Sequence, residues 1–159
     1  VYAVERKPEA VELLRKNREH FHMDNMEIIE ALAPEGLEEL PVPTHAFIGG
    51  SGGRLMDILQ TLYRKNPHMR IVINAISMET IAELQEVLEA FPVEDEEILQ
   101  MQVNRVKKLG SYHLPQAENP VWICSFTFRE GETGSMNKVK KALLTEEENG
   151  NRKNGEVQR

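Results

Sequence analysis

The stretch "HAFIGGSGGRLMDILQTLYRKNPHMRIVINAISMET", His45 to Thr80, decides how the chain is read. "HAFI" is β-prone and runs into four glycines and a serine. Leu55, Ile58, Leu59 and Leu62 then fall at i, i+3, i+4 and i+7, the spacing of one helix face. Ser51 is placed to cap that helix. Asn66-Pro67 stops it, because the residue before a proline is pushed out of the helical region. "RIVINAI" follows as a continuous apolar strand, of the kind buried on both faces of a parallel sheet. Ser77 caps a further helix that turns Ile81, Leu84, Leu88 and Phe91 inward, and Pro92 ends it. This alternation predicts an α/β fold, a parallel sheet with helices on both faces.

Toward the N-terminus, "VYAV" (Val1 to Val4) is a short strand. Pro8 suits a first helical turn and Glu9 suits the helix dipole, so a helix is expected to about His20, with Val11, Leu14 and Phe21 near one face. "MEIIEA" is the next strand. The loop "LAPEGLEELPVP" carries three prolines and a glycine, which forbid a long regular element. Beyond Pro92 the pattern changes. "ILQMQV" and "VWICSFTF" alternate with period two and read as neighbouring strands joined by a long polar loop, Asn104 to Pro120. Residues 1–128 therefore form one domain, and 129–159 a charged tail. In that tail "SMNKVKKALLTEEE" is expected to form a marginal helix, and the last dozen residues are expected to be disordered.

Composition narrows the function. A formal net charge of −7 argues against a general nucleic-acid binder, which needs surplus Lys and Arg to neutralise phosphates. It leaves room for an anionic small molecule held by a few local cations. The single cysteine, Cys124, cannot form an internal disulfide. No apolar run approaches the roughly 20 residues that cross a bilayer. With no signal peptide at a start that lies inside a strand, these features lead us to expect a cytoplasmic protein that avoids membranes. No CxxC or HExxH spacing supports a metal site, and no GxSxG elbow supports a nucleophile.

In open α/β sheets ligands bind at the carboxyl ends of the strands. The candidates there are Glu5 and Arg6, then Glu30 to Ala33, then Gly49 to Gly53, then Asn74 to Glu79. Glu5 has two readings. An ionised carboxylate after a strand can accept hydrogen bonds from both ribose hydroxyls of a nucleoside cofactor; it can also be a solvated acid favoured by a helix start. The glycine loop has two as well. It can offer backbone N–H groups to a phosphate, or it can bare the backbone to a close neighbour. It fits neither GxGxxG nor GxxxxGK[ST]. Arg105, Lys107, Lys108, Tyr112 and His113 sit on the loop Asn104 to Pro120, which either closes over an anionic planar ligand or is merely solvated.

Taken together, "VYAVERKPEAVELLRKN", "IEALAPEGL", "FIGGSGG", "NAISMET" and "NPVWI" resemble one family in order and spacing. It is the decarboxylating precorrin methyltransferases of cobalamin biosynthesis, and the resemblance runs from Val1 to about Phe128. It implies a Rossmann-like methyltransferase sheet, S-adenosylmethionine as cofactor and an anionic tetrapyrrole, a precorrin, as substrate. The reaction implied is methylation of carbon 15 with loss of carbon dioxide from an acetate side chain. Glu5 matches the acid that holds the cofactor ribose, with Arg6 beside it. Leu32 and Ala33 lie in the loop that borders the adenine. Gly49 begins the loop next to the methyl donor, and Gly50, Ser51, Gly52, Gly53 and Asn74 border the substrate. Arg105 and Tyr112 are further substrate contacts, and Glu79 or His113 is the group that handles a proton. The resemblance also implies a homo-oligomer, a tetramer being one such state, and a carbon-5 methylating unit that is fused or separate.

One departure stands out. In the family a strand, a GxGxG-type loop and a helix precede the strand that "VYAVE" matches, and the sheet order is 3-2-1-4-5-7-6. This sequence has no counterpart of that first unit, so a strand would be missing between "VYAV" and "HAFI". The expectation is a fragment of the enzyme. The alternative to a catalyst is an inactive tetrapyrrole-binding or subunit-interaction piece.

Overall fold

The computed structural model describes residues 1–131. The helix expected over "SMNKVKKALLTEEE" and the disorder expected of the last dozen residues lie outside the described residues. Within them the order is β1 (Tyr2–Glu5), α1 (Pro8–His20), β2 (Glu27–Glu30), β3 (His45–Ile48), α2 (Leu55–Lys65), β4 (Arg70–Ala75) and α3 (Met78–Ala90). Then come β5 (Val93–Met101), β6 (Asn104–Leu109), β7 (Tyr112–Ala117) and β8 (Val121–Phe128).

Helix α1 starts on Pro8, whose missing N–H would have had no helical partner in the first turn. Glu9 in its first turn and Arg18 in its last complement the dipole. Val11 is fully buried, but Phe21, expected on the same face, is exposed. Phe21 is the C-cap residue and has left helical geometry, so the 3.6-residue period no longer places its side chain.

The inward stripe of α2 is as the spacing predicts: Leu55, Ile58, Leu59 and Leu62 are all buried. Its start is not. Ser51 does not cap this helix; Arg54 occupies the N-cap position and no side chain caps it. The reason lies in Gly52 and Gly53, whose φ of +62° and +79° are left-handed. A right-handed helix cannot run through them. Asn66 does close α2. Its N–H donates to the Leu62 carbonyl at 2.9 Å, and its side chain donates to the Pro43 carbonyl at 2.8 Å.

Ser77 caps α3 as expected, its Oγ accepting from the Thr80 N–H at 3.2 Å. Replacing Ser77 by alanine should cost about 0.5–2 kcal/mol, the usual worth of such a cap. A urea midpoint that does not move would show that the bond contributes nothing.

Strands β3, β4, β8 and β5 form one sheet in that order. β3 and β4 are parallel, while β8 runs antiparallel to both β4 and β5. One face carries Ile71 and Ile73 of β4 with Cys124, Phe126 and Phe128 of β8, covered by the stripes of α2 and α3. Tyr63, Phe91, Phe126 and Phe128 pack ring to ring there, with centroids 5.1–5.6 Å apart. β4 is not buried on both faces as its apolar run suggested. Its burial alternates, because α2 and α3 share a face. On the opposite face Phe47 and Leu99 are exposed.

β1 and β2 form a separate parallel pair, with α1 packed on them. Among the described residues neither β1 nor β3 has a second strand partner. The break falls where the family order leaves a place for strand 1. β5 begins at Val93, earlier than "ILQMQV" suggested, and carries an irregularity between Glu94 and Glu97. The segment expected as a loop is instead an antiparallel hairpin, β6–β7, turned at Gly110 with φ +62°. Among the described residues no helix is long and apolar enough to cross a membrane.

Cys124 lies in the core with no exposed surface. Burial, helped by the nearby Glu96 charge and opposed by Arg70, pushes its thiol from 9.0 up to about 11. The neutral thiol is therefore favoured by folding. That contribution is complete below pH 9 and is lost as the pH rises through about 11. Thiol labelling at pH 8 should be far slower in the native protein than in denaturant. Equal rates would contradict this burial.

Candidate functional site

Because β1 and β2 run parallel, and β3 and β4 do too, the residues after each strand gather at carboxyl ends. Glu5 closes β1. Its Oε1 accepts from the backbone N–H groups of both Arg6 and Lys7 at 2.8 Å. Those are the unpaired donors ahead of α1, so the carboxylate is oriented by the helix start. Its second oxygen, Oε2, makes no hydrogen bond among the described residues. The helix-start reading of Glu5 is thus met by one oxygen, and the hydroxyl-binding reading needs only the other. The Ala31 N–H donates to the Glu5 carbonyl at 3.1 Å, which brings the segment after β2 alongside. Leu32 is exposed and Ala33 is half-buried against the core. Arg6 is exposed.

The glycine loop after β3 divides in two. Gly52 and Gly53 are required by their left-handed backbone. Gly49 and Gly50 have no such φ, and a side chain at Gly50 would meet nothing within 4 Å. Their missing side chains therefore leave the edge bare rather than relieve strain. Ser51 is buried, and its Oγ donates to Glu83 Oε2 of α3 at 3.3 Å. Glu83 was not singled out in the sequence. It lies one turn beyond Glu79, and that i, i+4 spacing on α3 is the signal that points to it. Glu79 itself is exposed in the first turn of α3, and Asn74 is half-buried on β4.

The hairpin leaves β5 and returns to β8 at this same edge, since Met101 pairs with Val121 and Ala75 with Trp122. Its register separates the residues proposed on it. Leu109 pairs with Tyr112, and Lys108 with His113. Alternation then places Arg105 and Tyr112 on one face and His113 on the other. The three cannot close on one ligand from a single face. Arg105 is also engaged, donating from Nε to Glu118 Oε1 at 3.0 Å. Among the described residues no three His, Cys, Asp or Glu side chains converge as a metal site.

The loop after β2 is fastened to α2. Arg54 Nη1 donates to both carboxylate oxygens of Glu35, at 2.9 and 2.7 Å. The Arg54 guanidinium holds the Glu35 carboxyl below its ordinary range, and Glu35 in turn raises Arg54. A shallow cleft lies beside this pair, lined by Pro34, Glu38, Gln60 and Thr61 among others.

A family model described as "Precorrin methyltransferase domain" matches residues 1–127. A relative from Methanothermobacter thermautotrophicus, named "Probable cobalt-precorrin-6B C(15)-methyltransferase (decarboxylating)", is 36% identical over 123 residues. The match covers 76% of this chain and 64% of that protein. The chain thus spans just under two thirds of the length of this curated relative. The crystal structure of precorrin-6y C5,15-methyltransferase from Geobacter metallireducens is 35% identical with a TM-score of 0.71, covering 79% of this chain and 67% of that one. An S-adenosylmethionine-dependent O-methyltransferase from Thermotoga maritima, 14% identical, aligns over 83% of this chain and 51% of its own with a TM-score of 0.62. That likeness shows the Rossmann-like fold alone.

Proposed function

The chain belongs to the precorrin methyltransferase domain family, and on that premise we propose that it carries the carbon-15 methylating and decarboxylating unit of cobalamin biosynthesis. The observation that carries this reading is Glu5. Its carboxylate is fixed by two backbone donors at the end of a strand and keeps one oxygen for a ligand. Glu5 and Arg6, with Leu32, Ala33 and Gly49, form the side that takes S-adenosylmethionine. When bound, that cofactor supplies an electrophilic methyl group to a nucleophilic carbon of the tetrapyrrole.

The protein's part is positioning more than acid–base chemistry. The bare stretch Gly50 to Gly53 leaves space for a macrocycle to lie close, and Asn74 borders it. Arg105 and Tyr112 share a hairpin face and meet the anionic substrate from there. Decarboxylation sends the electron pair of the broken carbon–carbon bond into the conjugated ring and releases carbon dioxide. Glu79 or His113 then handles a proton. Residues 1–128 are the methyltransferase domain in this reading, with 129–159 as its tail. The working state is a cytoplasmic homo-oligomer, a tetramer being one form, acting with a fused or separate carbon-5 methylating unit. The net charge of −7 fits a protein that does not engage nucleic acid.

A second reading is an inactive tetrapyrrole-binding or subunit-interaction fragment. The edges of β1 and β3 that are open among the described residues favour it, as does a hairpin whose Val106, Leu109, Tyr112 and Leu114 are all exposed. Incubation with a precorrin and S-adenosylmethionine, followed by mass spectrometry of the tetrapyrrole, separates the two. The first reading expects one methyl group gained and one carbon dioxide lost. A tetrapyrrole that binds but returns unchanged selects the second.

A further inference from the structure

We propose that the Arg54–Glu35 ion pair is a clasp that aligns the loop after β2 with the glycine loop and thereby sets affinity for the nucleoside cofactor; this rests on the cofactor reading above. Arg54 directly follows Gly53, and its N–H donates to the Ser51 carbonyl at 3.2 Å. The guanidinium therefore springs from the end of the glycine loop at a fixed point. The carboxylate it grips comes from the other wall, two residues beyond Ala33. One arginine thus spans two loops that are 19 residues apart in sequence.

The rest of the β2–β3 loop is fastened differently. Arg64 donates to Glu38 Oε1 at 2.9 Å. Lys65 donates to the carbonyls of Glu38 and Leu40 at 2.7 Å. Asn66 donates to the carbonyl of Pro43. All of these hold the second half of the loop. In the first half Ala33 and Leu37 rest against the core, and among the described residues the side-chain polar link to α2 is Arg54–Glu35. Exposed ion pairs contribute little to global stability. The Arg54 guanidinium is nonetheless held at two points, Nη1 on both Glu35 oxygens and Nε on Asp57 Oδ2 of α2 at 3.5 Å, so its direction is fixed as well as its distance. Releasing it gives the loop freedom that a ligand must remove on binding, and that ordering weakens affinity. Arg54 is a positioning residue here and touches no substrate.

The test compares wild type with Arg54→Ala, Arg54→Lys and the exchanged pair Arg54→Glu with Glu35→Arg. Backbone amide exchange at Gly36 and Leu37 reports the clasp, and calorimetric titration with S-adenosylmethionine reports affinity. The proposal expects Arg54→Ala to speed exchange at those amides but not at Leu40 and Val42, and to weaken binding about threefold to tenfold. It expects Arg54→Lys and the exchanged pair each to recover part of the loss, recovery in the exchanged pair being limited because glutamate at 54 would face Asp57. Unchanged exchange overturns the clasp. Faster exchange with unchanged affinity overturns its link to the cofactor, and Arg54→Lys and the exchanged pair both as weak as alanine show that charge pairing is not the cause. A wild type that binds no S-adenosylmethionine overturns the cofactor reading and with it the affinity link; amide exchange then decides alone whether the pair holds the loop.

Discussion

Replacing Phe126 by alanine should destabilise the protein by about 3–5 kcal/mol, the usual cost of emptying a buried phenylalanine site. Phe126 has no exposed surface. It sits in the middle of β8 opposite Ile71 of β4, with its ring 5.5 Å from that of Phe128. β8 is bonded on both sides, so its backbone cannot shift to fill the space. A loss of that size approaches the whole stability of many domains, about 5–15 kcal/mol. Urea unfolding followed by the fluorescence of the single tryptophan, Trp122, measures it. Phe47→Ala is the matched control. Phe47 is 67% exposed, and its loss should change stability by no more than about 0.5 kcal/mol. Equal effects at the two positions would mean that the packed face of the sheet has been misassigned.

The second large effect is on binding. Glu5→Ala should weaken S-adenosylmethionine binding by about 1.5–3 kcal/mol, the scale of hydrogen bonds to a charged group. That corresponds to roughly a tenfold to 150-fold rise in Kd. Glu5→Gln distinguishes orientation from charge. Glutamine keeps an oxygen for the N–H groups of Arg6 and Lys7, but presents an amide to the ribose in place of a carboxylate. Its loss should therefore fall between wild type and alanine. If glutamine and alanine weaken binding equally while unfolding is unchanged, charge at Glu5 carries the whole effect. If neither weakens it, Glu5 is only an anchor for α1.

Much of the fold was legible because it is written in local periodicity. Leu55, Ile58, Leu59 and Leu62 announce a helix face by spacing alone, and Ser77 announces its cap. Ser51 misled because a serine before an apolar helix resembles a cap, whereas two left-handed glycines intervene. The strand "RIVINAI" misled because apolar composition does not reveal which faces the helices will cover. The hairpin was missed for a different reason. Its turn at Gly110 and Ser111 is flanked by "RVKKL" and "YHLPQ", where charges and Pro115 dilute the alternation that marks a strand. That difference bears on the candidate site, since it is the hairpin register that parts His113 from Arg105 and Tyr112.

The candidate site was legible as far as position along the strands could carry it. Glu5, Gly49 to Gly53 and Asn74 could be placed at strand ends from sequence order. Contacts between distant segments could not. Nothing near Ser51 points to Glu83, 32 residues away, and nothing near Glu35 points to Arg54. The first depends on where α3 packs against the glycine loop and the second on where the loop after β2 lies against the start of α2.

The central claim is that Glu5 marks a site for S-adenosylmethionine at the carboxyl end of β1. Calorimetric titration of the 159-residue chain and its Glu5→Ala variant with S-adenosylmethionine tests it most directly. The account predicts saturable binding by the wild type and a Kd at least about tenfold higher in the variant. No binding by the wild type, or equal binding by the two, would contradict it.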